Sequence, residues 1–97
     1  MSKEQLYIVT YDIADKRRWR RVFRIMQGYG EWLQLSVFQC RLTRRRRAEL
    51  ETELREAVKD GHDHVLLLDV GPAAKVNPAI ESIGKQFSQV QRQATVI

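Results

Sequence analysis

The sequence predicts a single α+β domain over residues 1–97, and three observations carry that prediction. Runs of β-branched and aromatic residues alternate with segments of helical periodicity. The length suits one compact core. A balance of 43% apolar and 30% charged residues is that of a globular chain, not a disordered or collagen-like one. No repeat, Gly-Ser linker or low-complexity tract divides the chain, apart from the short arginine run Arg44 to Arg47.

Leu6 to Ile13, LYIVTYDI, reads as a buried strand with Asp12 at its end. Asp15 stands where a helix N-cap belongs. Trp19, Val22, Phe23 and Met26 follow at spacings of three and four, so they line one face of a first helix running to about Gln27. The opposite face carries Lys16, Arg17, Arg18, Arg20, Arg21 and Arg24, and Gly28-Tyr29-Gly30 supplies the stop. Glu31 to Leu42 is strand-like but changes phase: Leu33, Leu35 and Val37 share one parity, Phe38, Cys40 and Leu42 the other. A bulge or a tight hairpin around Leu35 to Val37 would produce that flip.

Thr43 is placed to cap a second helix, Arg44 to Lys59, whose inner side is Leu50, Leu54, Ala57 and Val58, with Glu51 and Arg55 paired four apart. His64 to Val70, HVLLLDV, is a continuous apolar run, expected to be a central strand buried on both faces. After Gly71-Pro72, PAAKVNPAIESIGK reads as a short helix or as a loop followed by a strand at Ala79 to Ile83, and the strand is the favoured reading. The β-prone end ATVI is suited to pairing with its own sheet or another chain's edge, as in a strand-exchanged dimer.

Charge points to the partner. Residues 1–47 hold 12 Lys and Arg against 4 acids, whereas residues 48–97 hold 5 against 8. Fixed cations that neutralise phosphates release condensed counterions, so nucleic acid is the expected partner. The clusters Lys16 to Arg24 and Arg41 to Arg47 contain 11 of the 17 basic residues and are read as lacking acids that could compensate them. Arg17, Arg18, Arg20, Arg21, Arg24, Arg44, Arg45, Arg46 and Arg47 are therefore the expected phosphate contacts. Tyr7, Tyr11, Tyr29 and Trp32 are stacking candidates, Trp32 foremost, while Trp19 belongs with the core. A membrane surface is disfavoured: no lipid anchor or exposed apolar stripe accompanies the cations, and no apolar stretch nears the roughly 20 residues that span a bilayer. The N-terminus shows no secretory pattern, so a cytoplasmic location is expected.

Candidates for chemistry are few. Asp12 suits a divalent cation, because hard metals take oxygen ligands and magnesium keeps several waters beside one or two carboxylates; one Asp per chain suffices if two chains meet. A solvated strand-end aspartate is the alternative reading. Cys40 is the only cysteine, so neither an internal disulfide nor a cysteine zinc cluster is available, and it reads as a small buried residue. His62 and His64 lack further ligands and read as turn and strand-edge residues. Ser36 has no glycine elbow and does not read as a nucleophile.

Several of these pieces together resemble the small CRISPR-associated protein two family, the partner of the integrase in the spacer-acquisition complex. The matching residues are Tyr11-Asp12-Ile13, Arg21-Val22, Tyr29-Gly30, Gln34, Ser36-Val37-Phe38, Leu42-Thr43 and, more loosely, Ile83-Gly84. The resemblance implies a ferredoxin-like βαββαβ sandwich: an antiparallel sheet, two helices on one face, a tight hairpin within Glu31 to Leu42, and an extra C-terminal strand that crosses to the partner's sheet. It further implies that Asp12 is the catalytic, metal-holding aspartate, supported by Tyr11, Ser36 and Phe38. Two copies would face each other across a homodimer with magnesium, or manganese, between or near them. Endonuclease activity on single-stranded RNA or duplex DNA follows from the resemblance, as does the rival role of a non-catalytic scaffold bridging integrase dimers. Trp32 is a departure, since relatives often carry a basic residue there.

Overall fold

The computed structural model describes residues 3–85. In chain order the elements are β1 (Glu4–Asp12), α1 (Lys16–Gln27), β2 (Glu31–Gln34), β3 (Val37–Thr43), α2 (Arg44–Ala57) and β4 (His64–Pro72). The sheet runs β2-β3-β1-β4 with every neighbouring pair antiparallel. Val22 and Met26 of α1 and Leu50, Leu54 and Ala57 of α2 join Tyr7, Val9, Tyr11, Phe38, Cys40 and Leu42 in one core, so both helices cover the same sheet face. This is the ferredoxin-like βαββαβ arrangement. Among the described residues no helix is long and apolar enough to cross a membrane.

Strand periodicity sorts the side chains. Tyr7, Val9 and Tyr11 of β1 point to the helices, which leaves Ile8, Thr10 and Asp12 on the other face. Asp15 caps α1 by accepting the Arg18 N–H at 3.0 Å, and Thr43 caps α2 by accepting the Arg46 N–H at 3.2 Å, a contact worth about 1 kcal/mol. α2 ends at Ala57, short of the expected Lys59, because Val58 turns to extended backbone at φ −91° and ψ 161°. The phase flip has two sources. Gln34 pairs with Val37 across a two-residue turn in which Leu35 takes φ 40°, and the register also shifts between Trp32 and Gln34.

Gly30 packs tightly against β3. A Cβ there would stand 2.4 Å from Cys40 Sγ and 2.6 Å from Gln39 O, the latter rigid backbone. Gly30→Ala is therefore expected to destabilise by about 1–3 kcal/mol or more, as overpacked sites do. Thermal melting checks this, and an unchanged melting temperature would show that the hairpin shifts freely.

Two expectations need correction. HVLLLDV is not a central strand: β4 is at the sheet edge, with Val65 and Leu67 packed on the core and Leu66 and Leu68 47% and 48% exposed on the uncovered face. Its apolar run marks two apolar faces, of which this chain's helices cover one. Ala79 to Ile83 forms no strand, since extended chain becomes a strand only by ladder pairing and this segment pairs with none of the described strands. Ile83 is 90% exposed. The terminal ATVI lies outside the described residues.

Candidate nucleic-acid and metal site

Asp12 ends β1 as an exposed side chain on the uncovered sheet face, and it makes no side-chain hydrogen bond or ion pair with the described residues. Its cross-strand partner is His64, the first residue of β4. Directly opposed residues share a face with their Cβ atoms about 5 Å apart, so an imidazole stands beside this carboxylate. That neighbour is invisible in a sequence where the two are 52 positions apart.

The expected supporting residues meet here. The Tyr11 N–H donates to Ser36 O at 3.1 Å, and Trp19 Nε1 donates to Ser36 Oγ at 2.9 Å. Tyr11 packs between Trp19 and Phe38, with ring centroids 6.2 and 6.3 Å away. The hairpin tip, the end of β1 and α1 are thus locked together next to Asp12. Burial pushes the Tyr11 hydroxyl up to about 12, outweighing the opposing effect of Ser36. It stays protonated at neutral pH and cannot serve as a general base.

The arginines divide into two groups. Arg17, Arg20, Arg21 and Arg24 are exposed at i, i+3, i+4 and i+7, one stripe opposite Val22 and Met26, and none forms an ion pair among the described residues. The second cluster does not match its expectation, because α2 supplies its own acids. Arg45 meets Glu49 at 3.4 Å, Arg46 meets Glu49 at 3.5 Å, Arg47 pairs with Glu51, and Arg55 meets the same Glu51 at 2.8 Å. The helix period brings residues three and four apart together, which the arginine run read in isolation conceals. Arg46 is also spent on packing: its guanidinium lies 4.1 Å from the Tyr29 ring centre and donates to Gly28 O at 2.9 Å. Arg47 lies over Tyr7. Arg44 alone of that run forms no ion pair among the described residues.

Arg18 also departs from the expected role. It forms a two-point ion pair with Asp63, Nε to Oδ2 at 2.6 Å and Nη2 to Oδ1 at 3.1 Å, and is directed at the protein. The arginine, followed by the Ala14 and Lys59 N–H groups, holds the Asp63 carboxyl well below the usual carboxylate range. A carboxylate with a depressed folded pKa adds stability above its unfolded pKa of about 3.9, which is lost as pH falls. The expected result is that wild type is more stable than Asp63→Asn at pH 6, with the gap narrowing below about pH 4. Melting temperatures across pH 6 to 2 check it; a constant gap would contradict it.

The aromatic candidates narrow to one. Tyr7, Tyr11 and Tyr29 are buried, with Tyr29 donating to Glu53 and its hydroxyl pushed up to about 12, first by burial and then by that carboxylate. Trp32 is 41% exposed, its ring perpendicular to that of Phe23 with centroids 5.9 Å apart and its Nε1 donating to Leu35 O at 2.9 Å, so it is the one aromatic candidate with substantial exposed surface. Cys40 is buried, as its position predicts. His62 lies in the turn before β4, its N–H donating to Lys59 O at 3.1 Å. No cluster of three or more His, Cys, Asp or Glu suited to a metal ion occurs among the described residues.

Comparison with known proteins adds a family to this geometry. Residues 5–77 match the family model described as CRISPR associated protein Cas2. The chain is 55% identical over 94 residues to "CRISPR-associated endoribonuclease Cas2" of Geobacter sulfurreducens, covering 97% of this chain and 99% of that protein. It is 53% identical over 96 residues to "CRISPR-associated endoribonuclease Cas2 1" of Rhodospirillum rubrum, covering 99% and 94%. A crystal structure described as that of cas2 superposes with a TM-score of 0.74 at 30% identity, covering 92% of this chain and 97% of that one.

Proposed function

The chain belongs to the CRISPR associated protein Cas2 family, and on that footing we propose that it is a cytoplasmic, homodimeric, metal-dependent endonuclease of CRISPR adaptation, hydrolysing phosphodiester bonds of single-stranded RNA. What carries this reading is Asp12: an exposed carboxylate without a partner among the described residues, on an apolar sheet face that no helix covers. The relatives' name of endoribonuclease favours RNA over duplex DNA as the first substrate to test.

The donor set fits half a magnesium site. Asp12 offers one hard oxygen ligand, and with no cluster of three such groups among the described residues a second copy has to supply another. Burial of Leu66, Leu68 and Ile8 against the same face of that copy would bring two Asp12 side chains together about a two-fold axis. Bound there, magnesium or manganese would stabilise charge developing on the scissile phosphate and make a water more acidic. The chain's own groups do the rest. Asp12 holds the ion, the stripe Arg17, Arg20, Arg21 and Arg24 grips backbone phosphates without reading bases, and Trp32 offers a stacking surface.

A second reading, a non-catalytic scaffold bridging integrase subunits on duplex DNA, is favoured by the sparse donor set, one carboxylate per chain. Sedimentation of wild type, with cleavage of labelled RNA and duplex DNA in magnesium, manganese or chelator, separates the two. The enzyme reading expects a dimer that cleaves RNA only with metal. A dimer that binds tightly and never cleaves supports the scaffold.

A further inference from the structure

The Asp63 side chain is wholly buried although it is charged. Its two oxygens accept four hydrogen bonds. Oδ1 takes the Ala14 N–H at 3.0 Å and Arg18 Nη2 at 3.1 Å; Oδ2 takes Arg18 Nε at 2.6 Å and the Lys59 N–H at 2.8 Å. The donors come from the β1–α1 loop, the first turn of α1 and the segment that follows α2. Asp63 itself immediately precedes His64, the ladder partner of Asp12.

Two consequences follow from this geometry. With both oxygens occupied, Asp63 has no lone pair well placed for a metal, close to Asp12 as the topology brings it. And the backbone leaving Asp12 is held at two points: across the ladder at His64, and two residues on at Ala14 by Asp63. Asp63 is wholly buried while Arg18 is 27% exposed, and a bidentate Arg–carboxylate pair adds geometric specificity as well as energy.

We infer that Asp63 is a positioning residue for Asp12, tying Ala14 and Arg18 to the segment after α2 and so fixing where the Asp12 carboxylate points. This rests on the reading of Asp12 as the metal-holding residue. Asp63 is not a catalytic residue; it acts through the loop at 12–15.

The test compares full-length wild type, Asp12→Ala, Asp63→Asn and the double variant Arg18→Gln/Asp63→Asn. The double variant removes the partly buried Arg18 guanidinium, 27% exposed, that Asp63→Asn leaves without its carboxylate, and so separates loss of the pair from the cost of a stranded charge. Amide hydrogen exchange at 12–15, Mn2+ affinity by electron paramagnetic resonance, melting temperature, and kcat and KM on single-stranded RNA are read for each. In Asp63→Asn, exchange at 12–15 should accelerate and kcat fall by at least about tenfold, the usual effect of losing a group that orients a metal ligand. KM should stay within about twofold, because the arginine stripe is untouched. The double variant should regain melting temperature without regaining kcat.

Recovery of both would make Asp63 purely structural and overturn the inference. So would wild-type exchange and kcat in a folded Asp63→Asn whose cleavage still requires Asp12. A wild type whose Mn2+ binding and cleavage are independent of Asp12 would instead overturn the metallonuclease reading, and this inference with it.

Discussion

Reversing Arg17, Arg20, Arg21 and Arg24 together to glutamate will lower nucleic-acid affinity by at least about 100-fold near physiological salt, and it will flatten the salt dependence. The four side chains form one exposed stripe opposite the core face of α1, and none is spent on an ion pair among the described residues. Each phosphate contact adds about −0.7 to the slope of log affinity against log salt on a single strand, and about −0.9 on a duplex. Losing four contacts should therefore remove about three units of slope. Neutralising Arg46 and Arg47 will do far less to binding and more to stability, because these two pack on Tyr29 and Tyr7 and pair with acids of their own helix. Filter binding across a salt series distinguishes the two variants. A reversal in α1 that leaves the slope unchanged would show that nucleic acid does not bind along this helix.

The contrast between the two arginine clusters marks how far the sequence could be read. Elements governed by local periodicity were legible: α1 from Trp19, Val22, Phe23 and Met26, its cap at Asp15, and the phase flip before Phe38. The family resemblance, resting on pieces such as Tyr11-Asp12-Ile13 and Ser36-Val37-Phe38, anticipated the sheet and helix arrangement. What escaped was long-range. HVLLLDV reads the same whether its second face is covered by this chain or left exposed, so its edge position was not visible. The Arg18–Asp63 pair joins residues 45 apart and removes one cation from the expected binding face. His64 beside Asp12 is likewise a product of strand register. Ala79 to Ile83 has strand-like composition, but a strand needs a ladder partner and this segment pairs with none of the described strands.

Asp12→Ala carries the largest expected effect on chemistry. The side chain is exposed, has no partner among the described residues and is not part of the core, so its removal should leave the fold and the arginine stripe intact. Removing a group that merely orients a metal ligand costs about 10–100-fold, so removing the ligand itself should cost at least about 100-fold in metal-dependent cleavage. If two Asp12 side chains share one ion, a dimer with one wild-type and one Asp12→Ala subunit should retain far less than half the activity. Independent sites would leave half.

The most direct measurement takes wild type and Asp12→Ala on labelled single-stranded RNA, with magnesium or chelator, and reads binding and cleavage from the same samples. Cleavage that requires magnesium and disappears in Asp12→Ala, with binding retained, is the result expected of a metallonuclease centred on Asp12. Equal cleavage by both proteins, or salt-sensitive binding with no cleavage by either, would contradict it.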